Sequence, residues 1–257
     1  MKVDGLFLDY DGTISPLTVT RQQSKVLPHL ESLLRAMQRR VNIGVISTKD
    51  LAFVLPRTPF AHAWAAIAGL ELRIGTRVMR PQNVDAGLPF LNQALEFARQ
   101  NAGNGGVIEE KCDSTGRPLA FCVDWRLVKN EKTIRTMSTR LLAYCKSLPL
   151  NVIEYEGKPY FDVFPCPIDK GRTLLTMKQN LGISGATLYM GDSHTDNPAF
   201  KAVDIGIGVS NFRRPLDLEC QYWINFGDIA EFLNHLFKNQ FTFSTDLPGI
   251  RVRRSDY

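Results

Sequence analysis

A chain of 257 residues can bury a core of useful size, so neither a disulfide staple nor a structural metal is needed merely to fold. With 44% apolar and 22% charged residues it has the balance of a globular protein of one large or two small domains. The net charge of +5 favours anionic ligands over cationic ones, and it is too weak and too scattered along the chain to argue for a nucleic-acid surface.

The one local cluster, Arg251, Arg253 and Arg254, reads as a solvated tail. The five cysteines (Cys112, Cys122, Cys145, Cys166, Cys220) are odd in number and include no C-x-x-C pair. That argues against a disulfide framework or a zinc site and for a reducing cytoplasm. The opening MKVDGLFLDY sets Asp4 within its short apolar stretch and lacks the long apolar region of a signal peptide. No run approaches the roughly 18 apolar residues of a membrane span.

In chain order, residues 5–8 (GLFL) and 41–46 (VNIGVI) read as short buried strands. Between them, residues 21–40 read as a helix, with Val26, Leu30, Leu33, Leu34 and Met37 at 3.6-residue spacing and Pro28 in its first turn. Strand, helix, strand implies a parallel sheet. The middle of the chain changes character. Helices are predicted at 84–100 and 131–145, and strands at 107–111, 119–124, 151–154 and 160–164, with turns at 114–118 and at Gly157. That order reads as an α+β insertion with an antiparallel sheet. Afterwards the first pattern returns: helix 169–181, strand 186–190, short helix 198–203, strand 205–209 and closing helix 228–237. The expected fold is α/β: a doubly wound parallel-sheet core of residues 1–82 and 166–257, interrupted by an inserted α+β cap domain at 83–165.

Four constellations stand at strand ends or helix starts of the core, where open parallel sheets bind ligands. In DYDGT, Asp9 and Asp11 are two positions apart, so on an extended backbone both face one site. Adjacent carboxylates repel unless a cation lies between them or one keeps a proton. A divalent metal would make Asp9 a nucleophile toward phosphorus, and a protonated Asp11 could serve a leaving oxygen. The plain alternative is an Asp-Gly turn. Ser47, Thr48 and Lys49 follow the strand VNIGVI, where a hydroxyl and backbone N–H groups can bind phosphate oxygens or cap a helix. Lys170 sits in a predicted first helical turn, where it opposes the helix dipole and needs a reason such as an anionic transition state. In GDSHTDNPAF, Asp192 and Asp196 add carboxylates to the same edge, an oxygen-rich set suited to Mg²⁺, or simply a run that caps a helix. His194 between them reads as a polar loop residue.

Taken in order, D-x-D-G-T, Ser, Lys-Gly and G-D-x-x-x-D resemble the motifs of the haloacid dehalogenase superfamily of phosphotransferases, and the insertion resembles the larger cap of its sugar-phosphatase branch. The resemblance implies that Asp9 is the nucleophile, forming an aspartyl-phosphate, and Asp11 the general acid and then base. It implies that Ser47 and Lys170 hold the phosphoryl group. Asp9, the Asp11 carbonyl and Asp192 would bind Mg²⁺, and Asp196 would support the metal's water or Lys170.

Within that branch FLDYDGTISPL and GDSHTDNPAF are similar to motifs of the trehalose-6-phosphate phosphatase family. Glu109 and Lys111 resemble its E-x-K sugar-contacting motif, Asp162 its carboxylate before V-x-P, and Arg126 an arginine of its cap. The chain departs from that family at Asp124 (usually His), at Ile67-Ala68-Gly69 (usually Glu-His-Gly), at Thr48-Lys49 (usually Gly-Arg) and at Ser193 (often Asp). What the resemblance implies is a cytoplasmic Mg²⁺-dependent phosphatase of a small-molecule sugar phosphate, trehalose 6-phosphate or a relative, with Thr48, Lys49 and the four cap residues touching substrate. No nucleic-acid or membrane partner is expected, and a monomer is favoured. The alternatives are a phosphatase or phosphomutase for another sugar phosphate, or a non-catalytic sugar-phosphate sensor.

Overall fold

The computed structural model describes residues 1–81, 83–103, 106–129, 131–155, 157–211 and 217–253, with backbone only for Glu131 and Thr133. Arg254 of the basic tail and Gln82, the last residue of the first expected core segment, lie outside the described residues.

The chain opens with β1 (Val3–Asp9), α1 (Pro28–Met37), β2 (Asn42–Ile46), α2 (Leu51–Arg57), β3 (Ala63–Ala66), β4 (Glu71–Ile74) and β5 (Arg77–Met79). Next come α3 (Val84–Asn101), β6 (Val107–Cys112), β7 (Pro118–Asp124), α4 (Glu131–Ser147), β8 (Asn151–Glu154) and β9 (Tyr160–Phe164). It ends with α5 (Lys170–Asn180), β10 (Ala186–Gly191), α6 (Asn197–Lys201), β11 (Ile205–Ser210), β12 (Tyr222–Asn225), α7 (Ile229–Lys238) and β13 (Arg251–Val252). These elements fall into two compact units, one of residues 1–48, 53–79 and 169–257, the other of residues 49–52 and 80–168.

The first unit is built on a nine-stranded sheet in the order β13-β12-β11-β10-β1-β2-β3-β4-β5. Pairing is parallel from β12 through β3 and antiparallel only at the margins, where β13, β4 and β5 lie. The reason is visible in β1. Leu6, Phe7 and Leu8 are all fully buried, as in a strand covered on both faces. Phe7 shares a core with Leu174 and Met177 of α5, Tyr189 of β10 and Phe200 of α6. The chain builds outward from β1 through β2 and β3, then returns at β10 on the other side of β1. That reversal is the switch point at which α/β sheets place their ligands.

The helix expected at 21–40 is shorter in the structure. Residues 21–23 form turns, with Ser24 N–H donating to the Thr20 carbonyl at 2.9 Å. Leu27 is extended (φ −61°, ψ 136°) and Pro28 starts the helix. A residue before proline is pushed out of the helical region, while proline itself suits the first helical position. The sequence reading also passed over α2, β3, β4, β5, β12 and β13, which are short; β3 is three parts alanine and shows no alternation to read.

The second unit holds a four-stranded antiparallel sheet in the order β6-β7-β9-β8. Its two faces differ in chemistry. Leu119, Phe121, Val123, Phe161 and Val163 are buried on one face, and α3, with buried Leu88, Leu91 and Leu95, packs against β7. On the other face the register aligns Glu109, Cys122, Asp162 and Ile153 in a single row across the sheet. Lys111 and Asp124 lie two residues along from members of that row and share its face.

Candidate active site

Asp9 ends β1 at the switch point and its register partner is Ile46, the last residue of β2. Ser47, one residue beyond, is buried; its N–H donates to the Ala65 carbonyl at 2.8 Å and its carbonyl accepts from Ala68 N–H at 2.7 Å. Helix α2 does not start until Leu51, so neither Ser47 nor Thr48 is the residue immediately before it. The stretch 67–69 beside Ser47 is held with positive φ at Ile67 (50°), Ala68 (55°) and Gly69 (98°). Such backbone is costly for a β-branched residue, and a Cβ on Gly69 would stand 2.1 Å from Thr173 Oγ1 of α5.

Helix α5 delivers the cation of the site. Asp169 is its N-cap, accepting from Arg172 N–H at 2.9 Å, so Lys170 occupies the first helical position. The Lys170 side chain is only 1% exposed, and its Nζ donates to Asp9 Oδ1 at 2.8 Å and to Asp196 Oδ1 at 2.5 Å. A lysine at a helix N-terminus and out of water is doubly unfavourable; two carboxylates offset both costs. Burial alone would lower the Lys170 pKa, but Asp196 and Asp9 reverse that and hold the ammonium charged.

Asp196 is committed on all sides. Oδ1 also accepts from Tyr189 OH at 2.6 Å, and Oδ2 accepts from Ser193 N–H at 2.9 Å and Ser193 Oγ at 3.2 Å. That fills the two acceptor positions of each oxygen. Ser193 thus closes a capping box with Asp196. His194 is exposed in the same short turn.

Asp192 completes the group. Asp9, Asp192 and Asp196 each offer an oxygen, and these lie within 4.8 Å of one another. Separations of this size bring Asp9 and Asp192 within reach of one hard divalent cation, while Asp196, its acceptor positions filled, borders the site. The electrostatics agree. Burial, opposed by Lys170 and assisted by Asp196 and Asp11, pushes Asp9 up to about 7. Burial and then Asp9 and Asp196 push Asp192 up as well. One lysine does not neutralise three clustered carboxylates, two of them buried and Asp192 half-buried, and a cation would. Gly12 makes room for the group: its φ is +77°, and a Cβ there would lie 2.0 Å from Asp192 Oδ2. The Asp11 carboxylate is not a member of the three-carboxylate group among the described residues.

Residues 89–228 match the family described as haloacid dehalogenase-like hydrolase, more than half of the chain and inclusive of Lys170, Asp192 and Asp196. The chain belongs to the haloacid dehalogenase-like hydrolases. It is 30% identical over 206 residues to a trehalose-phosphate phosphatase of Mycobacterium tuberculosis, a match covering 77% of this chain and 51% of that protein. It therefore spans about half the length of such curated relatives. Among solved structures, it is similar to a trehalose-6-phosphate phosphatase related protein (TM-score 0.72, 17% identity, 91% of this chain and 97% of that one). It is also similar to the C-terminal domain of C. albicans trehalose-6-phosphate phosphatase (TM-score 0.69, 16% identity, 91% and 92%). At these identities the structures speak to the fold, and the fold of this haloacid dehalogenase-like hydrolase agrees with the α/β expectation.

Of the remaining sequence-predicted residues, Thr48 belongs to the first unit and the others to the second. Lys111 and Asp162 are buried and paired with each other, Nζ to Oδ1 at 2.5 Å, with the ammonium 5.7 Å from the Phe164 ring centre. Tyr155 OH donates to Asp162 Oδ2 at 2.8 Å. Glu109 faces Lys49 at 3.5 Å. Arg126 lies past the end of β7, more than half exposed, pairing with Asp124 at 2.6 Å and stacking over Tyr160. Thr48 is half-buried beside Ser47. Sequence reasoning missed Tyr189, Tyr155 and Asn211. Tyr189 and Tyr155 read as ordinary strand or loop aromatics, and Asn211 follows an apolar strand with no motif to mark it.

Proposed function

We propose that this haloacid dehalogenase-like hydrolase is a Mg²⁺-dependent phosphatase of a sugar phosphate, trehalose 6-phosphate or a close relative. The observation that carries the reading is Lys170, buried between Asp9 and Asp196 with Asp192 completing the group. Asp9 attacks phosphorus in line as the bond to the sugar oxygen breaks, giving an aspartyl-phosphate, and water then cleaves that acyl phosphate to release phosphate and restore Asp9. Asp11 gives a proton to the departing sugar oxygen and afterwards takes one from the attacking water. Asp9, the Asp11 carbonyl and Asp192 would hold Mg²⁺, which would neutralise charge on the phosphoryl oxygens when bound. Lys170 has three N–H donors and spends two on Asp9 and Asp196, which leaves one for a phosphoryl oxygen. Ser47 and Thr48 offer hydroxyls to the same group. The filled coordination of Asp196 supports a role in fixing Lys170 rather than binding the ion.

The 83–165 segment acts as the specificity domain, through the polar sheet face of Glu109, Lys111 and Asp162, with Arg126 and Lys49 at its border. Charged groups make strong hydrogen bonds to hydroxyls, which suits a polyhydroxylated ligand. The names of the relatives support trehalose 6-phosphate as the first compound to try. The test is phosphate release with MgCl₂ across a panel of sugar phosphates, with Asp9→Asn as control. One compound turned over far faster than the rest, and a dead variant, are the expected result. Binding without turnover would replace the enzyme with a sensor.

A further inference from the structure

Asn211 stands directly after β11, and its Nδ2 lies 3.0 Å from the Gly12 carbonyl and 3.1 Å from Asp192 Oδ2. Both partners can only accept: one is a carbonyl and the other a carboxylate oxygen. The amide must therefore turn its NH₂ end toward them, and its two hydrogens serve one partner each. The contact with Gly12 closes a span of 199 residues in sequence. Asp192 Oδ2 is thus confined from two directions, by the bare Cα of Gly12 and by the Asn211 amide. A Cβ on Gly12 would collide with that oxygen at 2.0 Å and touch Asn211 Nδ2 at 3.0 Å. Fixing one carboxylate oxygen fixes the plane of the group, and with it the position of the other oxygen.

We infer that Asn211 is a positioning residue for the cation site: it sets the Asp192 carboxylate and ties it to the loop that carries Asp11 and Gly12. The inference rests on the reading of Asp192 as a ligand of Mg²⁺. In the absence of the ion Asp192 is repelled by Asp9 and Asp196, so without a donor from outside the group its carboxylate has reason to swing away. Asn211 supplies that donor from a neutral side chain. A lysine or arginine in its place would also hold the oxygen but would compete with the ion for charge. Outer partners that orient a ligand are typically worth about 10–100-fold in metal affinity.

The test is calorimetric titration of the whole chain with MgCl₂, comparing wild type, Asn211→Ala and Asn211→Ser. The serine is polar but too short to reach both oxygens. Both variants are expected to bind Mg²⁺ about 10–100-fold more weakly, with metal-free melting close to wild type. In turnover assays the Mg²⁺ concentration for half-maximal rate rises, while kcat at saturating Mg²⁺ is largely recovered. A purely structural asparagine would lower melting and leave the Mg²⁺ titration in place, which would overturn the inference. Wild-type affinity in both folded variants would do the same. Asp192→Asn separates the two levels: if wild type and Asp192→Asn titrate alike, the cation reading itself fails and the role of Asn211 falls with it.

Discussion

Replacing Lys170 by methionine keeps most of the side-chain volume and removes the charge. The wild-type ammonium makes two bonds to carboxylates, 2.8 Å to Asp9 and 2.5 Å to Asp196, in a site where none of the three side chains is more than 8% exposed. Breaking a buried ion pair by deleting one partner costs about 3–5 kcal/mol, because the other charge is left without compensation. Two hydrogen bonds to charged groups, at about 1.5–3 kcal/mol each, give a similar figure. The total stability of a domain is about 5–15 kcal/mol, so the variant should unfold at a clearly lower urea concentration, with an unchanged slope. The assay is urea unfolding in metal-free buffer at about pH 8.5, above the value of about 7 to which burial lifts Asp9. Lys170→Met/Asp196→Asn should recover part of the loss, since the stranded charge goes with its partner. A loss below about 1 kcal/mol, the scale of a surface pair, would refute the claim that Lys170 is what allows these carboxylates to be buried.

Gly12→Ala places a Cβ 2.0 Å from Asp192 Oδ2 at a φ of +77°. It should cost about 1–3 kcal/mol in backbone strain and abolish Mg²⁺ binding by calorimetry while circular dichroism stays native. Tyr155→Phe removes the donor to Asp162 Oδ2, and a loss of about 1.5–3 kcal/mol is expected in urea unfolding. His62 accepts from Ile43 N–H at 3.0 Å through Nδ1, and burial holds its pKa below the ordinary value. The unfolded chain takes up a proton near pH 6.5 that the folded chain refuses. Stability should therefore fall as pH drops below about 6.5 and level off below the folded value. Comparing the urea midpoints of wild type and His62→Gln at several pH values isolates this slope; equal slopes would count against it.

Much of the arrangement could be read in the chain because its signals are local. Asp9, Lys170 and Asp192 sit at the ends or starts of elements whose apolar periodicity is plain, and a parallel sheet brings such ends together. The helix is shorter than the expected 21–40 because Leu30, Leu34 and Met37 continue an apolar spacing that begins at Val26, while Pro28 sets the true start. Pairing across the fold could not be read. Nothing in the sequence links Asn211 to Gly12, because that bond joins residues 199 apart through the register of distant strands; Tyr189 meets Asp196 only seven residues on because the turn after β10 folds back. In the second unit the same limit hid the Lys111–Asp162 pair, since residues 51 apart became neighbours only when β6, β7 and β9 fell into order.

The bond between Asp9 and Lys170 joins residues 161 apart, and this has a consequence for the birth of the protein. A ribosome adding about 5–20 residues per second needs roughly 8–30 seconds to travel from one to the other. During that interval β1 can pair with β2, but β10 has not been made. The growing chain therefore carries an apolar strand with one open edge and a carboxylate at its tip that has not met its lysine. Slowing translation between residues 165 and 190 would lengthen that exposure, and holding chaperones would be drawn to the nascent chain there rather than to the finished one.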